Sequence, residues 1–170
     1  VLEPLLIVML ANAGSRVSVL FVDLDRFHGI NEAIGHELAD EVLRSVGARL
    51  QTIASEHVAI AHYASDEFVV VQHGGDDEST KRLAQDIRGS LSNPFDGANY
   101  RVRLTATVGI SCAPQHGRTP LDLLRRAQVA AQRGKRMGRD CTSFFRTEGM
   151  QEIEDRIVLG GRLRAAADAG

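Results

Sequence analysis

Apolar residues recur along this chain in two rhythms. Val17, Val19 and Phe21 alternate with Ser18, Leu20 and Val22, and the run ends on Asp23, which predicts a central strand over 17–23. Ile34, Leu38, Val42, Val46, Leu50 and Ile53 recur at spacings of three and four, which predicts one long amphipathic helix with a single apolar stripe. Val58 to Tyr63 and Phe68 to His73 read as the arms of a hairpin. Gly74-Gly75-Asp76-Asp77 ends it, and Asp77 or Ser79 is placed to cap a helix that runs to about Leu91, where Asn93-Pro94 stops it. Leu104, Ala106, Val108, Ile110 and Cys112 alternate over a long strand with one side to the core. Pro114 to Gly117 reads as a loop, Thr119-Pro120 opens a further helix, and Thr142 to Phe145 is a last short strand. A first helix is expected over residues 2–12.

Composition narrows the picture. The chain has 170 residues, enough for one substantial core and too few for two ordinary domains. A formal charge of −2 gives no electrostatic case for nucleic acid. Two cysteines, Cys112 and Cys141, lack metal-ligand spacing and fit reduced thiols of a cytoplasmic protein. The apolar run Leu5 to Leu10 is too short to cross a bilayer, so no direct membrane insertion is expected in this segment.

The candidate chemistry lies where the strand runs meet carboxylates. Asp23 and Asp25 fall on one face at the end of the first strand, and Asp66 and Glu67 sit between the hairpin arms. Two such ends brought together make a hard-oxygen site suited to Mg²⁺. Ser65 stands in the turn, where a glycine would let a ligand approach the backbone.

These residues resemble the GGDEF domain, the diguanylate cyclase family. Asp23-Leu24-Asp25-Arg26-Phe27-His28 matches its D-x-D-x-F-K stretch except at the last position, and Asn31-Glu32-Ala33-Ile34-Gly35-His36 with Asp40 resembles its N-D-x-x-G-H…G-D stretch. Ala64-Ser65-Asp66-Glu67-Phe68 sits at the signature itself. The strand Arg101 to Ile110 and the run Lys135-Arg136-Met137-Gly138-Arg139-Asp140 resemble its V-T-x-S-x-G-I and K-x-x-G-R-N stretches. The resemblance implies an α+β fold of nucleotidyl-cyclase or palm type, with a central, mainly antiparallel sheet flanked by helices. It also implies a reaction in which two GTP molecules, one on each subunit of a homodimer, are joined into cyclic di-GMP.

The roles implied by the resemblance follow residue by residue. Asp23 and Asp66 would ligate Mg²⁺ beside the backbone carbonyl of Leu24. Glu67, with Asp66 the catalytic candidate, would position or deprotonate the attacking hydroxyl. Asn31 and Asp40 would read guanine through amide and carboxylate groups. Lys135 and Arg139, four residues apart, would hold the β and γ phosphates. Taken without the resemblance, Asn31 reads as an N-cap, Asp40 as a surface acid, and Arg133, Lys135, Arg136 and Arg139 as a solvated basic helix face.

Three positions depart from the family pattern at the substrate side. His28 replaces a lysine that contacts phosphate, and Ala64 and Ser65 replace the two signature glycines. Gln132 and Gly134 also depart, and Gly134 is expected to weaken its helix by up to about 1 kcal/mol. The family's product-inhibition element, R-x-x-D, would fall at Ser55-Glu56-His57-Val58, where neither residue is present, so feedback by that route is expected to be absent. The expected function is therefore a degenerate GGDEF domain that binds GTP and Mg²⁺ as a regulatory module. An active or conditional cyclase and a purely structural dimerisation domain are the alternatives.

Residues 1–147 read as this domain, with an expected clipped or disordered start, because the family's D-x-L-T-G-L-x-N-R stretch is missing before it. Residues 148–170 read as a charged C-terminal helix, either packed back on the domain or, as favoured here, leading into an EAL phosphodiesterase domain.

Overall fold

A computed structural model describes residues 16–146. The helix expected over 2–12 and the linker helix expected over 148–170 lie outside the described residues. Strand β1 (Val17–Leu24) is buried along its whole length. It pairs antiparallel with β3 (Glu67–His73) on one side and with β6 (Ala106–Ala113) on the other. The sheet is completed by β2 (Val58–Ala64), antiparallel to β3, and by β7 (Thr142–Phe144), parallel to β6. The five strands lie in the order β2-β3-β1-β6-β7, so the chain is α+β with a mainly antiparallel sheet.

Alternation along β1 decides what each face meets. Leu20, Val22 and Leu24 join a core with Val42, Val46 and Leu50 of α2 (His36–Gln51) and Leu83, Ile87 and Leu91 of α3 (Asp77–Ser92). Val17, Val19 and Phe21 face the other way, onto Leu123, Ala127 and Ala131 of α4 (Pro120–Met137). These three α4 residues are spaced by four, so one stripe of the helix lies along the sheet. The fit is close at Gly109 of β6, where an added Cβ would come within 2.0 Å of the Ala127 carbonyl and 2.3 Å of the Ala131 nitrogen. Gly134 makes the next contact along the helix, where a Cβ would meet Thr107 Cγ2 at 2.7 Å. Its lack of a side chain thus has a packing reason beyond its helix propensity.

Three expectations need correction. The apolar stripe from Ile34 to Ile53 is not one helix: α1 (Phe27–Ile34) and α2 are separated at Gly35, whose φ of 82° and ψ of 162° break the helical path. Asn31 and Asp40 therefore stand on different helices, and Asn31 is inside α1 rather than at its N-cap. The cap of α3 is Asp76, not Asp77 or Ser79. Asp76 accepts from the Ser79 N–H at 2.8 Å, and Ser79 Oγ accepts from the Asp76 N–H at 2.9 Å, a reciprocal capping box. Thr119 and Pro120 do open α4, with Thr119 as N-cap. The sequence reading also missed a two-stranded ribbon, β4 (Phe95–Asp96) with β5 (Arg101–Val102).

Candidate functional site

The odd-numbered face of β1, apolar from Val17 to Phe21, ends in the carboxylate Asp23. Asp23 lies directly opposite Glu67 of β3. Opposed residues on antiparallel strands share a face with Cβ atoms about 4.5–5.5 Å apart, so the two acids are neighbours. The β2–β3 turn brings Asp66 to the same end, where the Leu24 N–H donates to the Asp66 carbonyl at 3.1 Å. Because N–H and C=O of one strand residue face the same neighbouring strand, the Leu24 carbonyl also points towards this turn.

The helix α4 then supplies a cation. Its stripe runs along the same face, and one turn beyond Ala131 it delivers Lys135, whose Nζ lies 2.5 Å from Asp23 Oδ1. Burial pushes the Asp23 carboxyl above its usual range, against the pull of Lys135, and the charges of Asp66 and Asp25 push the same way. Burial is also the main cause that raises Glu67, with Asp23 and Asp66 adding to it. Three acids thus crowd one cation, an excess of negative charge that a hard divalent ion would offset.

Among the described residues, no three or more His, Cys, Asp or Glu side chains form a cluster that could hold a metal ion by themselves. The donor set nevertheless fits Mg²⁺. That ion usually takes one or two carboxylates, keeps waters and is completed by substrate phosphates.

The turn between the hairpin arms has a left-handed residue, and it is Ser65, at φ 45°. His62 on β2 holds it, with Nε2 donating to the Ser65 carbonyl at 2.7 Å. The His62 ring rests on Phe68 with centroids 4.8 Å apart. Both rings line a concavity of about 470 Å³, together with Asp40, Leu43, Arg44 and Gly47. Asp40 is therefore gathered at a pocket that opens beside the signature turn, whereas Asn31 is not in its lining. Asn31 is half-buried on α1, and its Oδ1 is buried with no hydrogen-bond partner.

Two sequence-predicted cations sit differently from expectation. Arg139 is not on the helix that carries Lys135. It follows the C-cap Gly138 in a left-handed turn, exposed, at φ 63°. Arg133 is buried rather than part of a solvated basic face. His28 lies exposed in the first turn of α1, with Nε2 3.2 Å from Glu32 Oε1.

The comparisons with known proteins bear on the whole assembly. The family model for the diguanylate cyclase GGDEF domain matches residues 3–141. The chain belongs to the GGDEF domain family. It is 31% identical over 153 residues to the bifunctional diguanylate cyclase/cyclic di-GMP phosphodiesterase MucR of Pseudomonas aeruginosa, covering 90% of this chain and 22% of MucR. It is 35% identical over 130 residues to the response regulator PleD of Caulobacter vibrioides, covering 75% of this chain and 29% of PleD. The chain thus spans less than a third of either relative. Among solved structures, the GGDEF domain of YfiN (TpbB) from Pseudomonas aeruginosa superposes with a TM-score of 0.83 at 30% identity, covering 86% of this chain and 94% of that one. These likenesses place this GGDEF domain in cyclic di-GMP signalling, with the palm-like cyclase fold.

Sequence reasoning missed one residue of this region and gave another the wrong neighbours. Asp25, though noticed beside Asp23, turns to a different set of partners described below. His62 gave no signal beyond its place in the strand. Only the fold shows that it holds the turn and lines the pocket of Asp40.

Proposed function

We propose that this GGDEF domain binds GTP with Mg²⁺ as a regulatory module of cyclic di-GMP signalling, with little or no turnover. The observation that carries the reading is the pairing of Asp23 and Glu67 across β1 and β3, with Lys135 against Asp23. In this reading Asp23, Asp66 and the Leu24 carbonyl hold Mg²⁺, which neutralises charge on the phosphates when bound. Lys135 and Arg139 take the β and γ phosphates, and the guanine lies in the concavity at Asp40. Asn31, whose Oδ1 has no partner, supplies a further base contact only if α1 shifts towards that concavity. Glu67, beside Asp23, faces the hydroxyl of an attacking nucleotide. The loss of turnover is assigned to the Ser65 side chain in the turn and to His28, which pairs with Glu32 in place of a phosphate.

A second reading, an active or conditional cyclase on a homodimer, is favoured by one observation. Ser65 reaches the left-handed conformation without a glycine. The turn therefore keeps the backbone path that a glycine would take, and only side-chain bulk is new. Similarity to MucR, which combines both activities in one protein, supports a phosphodiesterase domain beyond this segment.

Calorimetric titration of GTP with Mg²⁺, followed by an assay for cyclic di-GMP, separates these readings from a purely structural role. Binding in the micromolar to millimolar range without product is expected. Asp23→Ala should abolish the metal-dependent part of binding. Absence of binding at millimolar GTP with Mg²⁺ rejects both nucleotide readings.

A further inference from the structure

Asp25 is a buried carboxylate beside the metal-side acids, and none of the roles above uses it. It is 6% exposed, and every oxygen has a protein donor. Oδ1 accepts from Thr107 Oγ1 at 2.7 Å; Oδ2 accepts from Thr105 Oγ1 at 2.8 Å and from the Asp140 N–H at 2.9 Å. The Asp25 N–H in turn donates to the Thr105 carbonyl at 2.8 Å. Asp25 thus ties the end of β1 to the start of β6 and, through Asp140, to the turn that follows α4.

The same turn is gripped from the other side. Arg88, on α3, places Nη2 2.6 Å from Asp140 Oδ1 and also donates to the Asp140 carbonyl. Between these grips the backbone is left-handed at three successive residues: Gly138 at φ 140°, Arg139 at 63° and Asp140 at 43°. Residues with a Cβ avoid this region, and two in succession persist only where the surroundings dictate it. The Gly138 and Arg139 N–H groups both return to the Gly134 carbonyl, closing the helix end. Arg139 lies between the helix end and the gripped Asp140, its backbone held by the Gly134 carbonyl. Its own guanidinium, among the described residues, has no hydrogen-bond or ion-pair partner and is exposed.

We propose that Asp25 and Arg88 are positioning residues, two jaws of a clamp on Asp140 that aims Arg139 at the triphosphate. The inference rests on the GTP reading above and adds two residues to it, one of them on a helix that carries none of the assigned contacts. Neither jaw touches the nucleotide. Asp25 is buried and already accepts three protein hydrogen bonds, and Arg88 Nη2 is engaged by Asp140. An unclamped turn relaxes to right-handed or extended backbone, which swings the Arg139 side chain away from the end of α4.

The test is titration of GTP with Mg²⁺ into the wild-type chain, Asp25→Ala, Asp25→Asn, Arg88→Ala, Lys135→Ala and Arg139→Ala, with a thermal melt of each. Asp25→Ala and Arg88→Ala should each weaken binding by about five- to tenfold, the scale of one lost charge-assisted contact. Asp25→Asn should stay within about threefold, because the amide oxygen keeps the Asp140 and Thr105 bonds and the amide nitrogen donates to the Thr107 hydroxyl. In an Arg139→Ala background, Arg88→Ala should add nothing, since it acts through Arg139. If Asp25→Ala fails to fold, Arg88→Ala decides, because Arg88 is only half-buried and its partner Asp140 is exposed enough to be solvated without it. Affinity lost on Lys135→Ala but unchanged within about twofold on Arg88→Ala overturns the clamp and leaves the GTP reading intact. Additive losses from Arg88→Ala and Arg139→Ala also overturn it. A wild-type chain that binds no GTP overturns the reading of the site and the clamp with it.

Discussion

Replacing Ser65 by glycine isolates the one place where the signature turn and the fold disagree. Ser65 sits at φ 45°, where a residue with a Cβ is disfavoured by about 1–2 kcal/mol relative to glycine. Glycine removes that strain but gives the unfolded chain more freedom, at a cost of about 0.4–1 kcal/mol. The hydrogen bond that holds the turn is made by the Ser65 carbonyl to His62, and a glycine keeps it. The net effect on folding should therefore be small, within about 1 kcal/mol of wild type and on the stabilising side. The effect on the nucleotide should be larger, because the lost Cβ and hydroxyl occupy the space through which a phosphate or base would approach the main chain. Urea denaturation measures the first effect, and chromatographic detection of cyclic di-GMP from GTP and Mg²⁺ in the full-length protein measures the second. We expect Ser65→Gly alone to raise cyclic di-GMP formation at least about tenfold, equivalent to about 1.4 kcal/mol of barrier. His28→Lys should add less, since Lys135 and Arg139 still face the phosphates. The reasoning fails if only His28→Lys restores synthesis, if the unmodified domain is already fully active, or if Ser65→Gly destabilises the fold by more than about 1 kcal/mol.

Gly109→Ala should destabilise the fold by about 3 kcal/mol or more, because its Cβ would meet the backbone of Ala127 and Ala131, which no side-chain rotation relieves; a thermal midpoint within about 3 °C of wild type would contradict this. Gly134→Ala should cost less, since the Cβ would press on the Thr107 methyl and the Cys141 sulfur, side chains that can give way. Glu67 has a carboxyl raised by burial, so its contribution to stability is fully present below the unfolded value of about 4.3 and is lost as pH rises through the higher folded value. Glu67→Gln should therefore stabilise the domain at pH 7, by under about 1 kcal/mol because the group is partly solvated, and the gain should vanish near pH 4; denaturant midpoints at the two pH values check it. Chelation of Mg²⁺ should remove GTP binding, because Asp23, Asp66 and Glu67 outnumber Lys135 on the face to which the proposed function assigns the triphosphate; calorimetry with excess chelator checks it.

Much of this was legible where a pattern is local. The alternation from Val17 to Asp23 correctly gave a buried central strand, and two apolar arms around Ala64–Glu67 gave the β2–β3 hairpin. The break at Gly35 was hidden because the apolar stripe continues across it: Ile34 and Leu38 are both half-buried on opposite sides of the kink. Spacing alone cannot report a change of axis. The ribbon of β4 and β5 has two residues in each strand, too few for a period to register. Asp76 was passed over as a cap because its neighbours Asp77 and Ser79 offer the same chemistry, and only the backbone decides among them. The convergence of Asp23, Asp66 and Glu67 at one end of the sheet was legible because strand ends are local features. The Lys135 contact to Asp23 depends on how far α4 runs along the sheet, which is a property of packing at Gly109 and Gly134 rather than of any motif.

The energetics of the four charged residues distinguish scaffold from site. Asp23 and Lys135 answer each other, and removal of either would leave a buried carboxylate or a half-buried ammonium without its partner, which is costly whatever the domain does. Asp25 is likewise accounted for by its three donors. Glu67 is different. It is partly buried, faces two other acids, and has its carboxyl pushed up by both causes, so the apo fold is more stable without its charge. A residue that works against the fold in which it sits is explained by what it meets when the site is filled. Glu67, beside Asp23 on the β1–β3 pair, is thus the side chain whose unfavourable charge the proposed nucleotide and metal would account for.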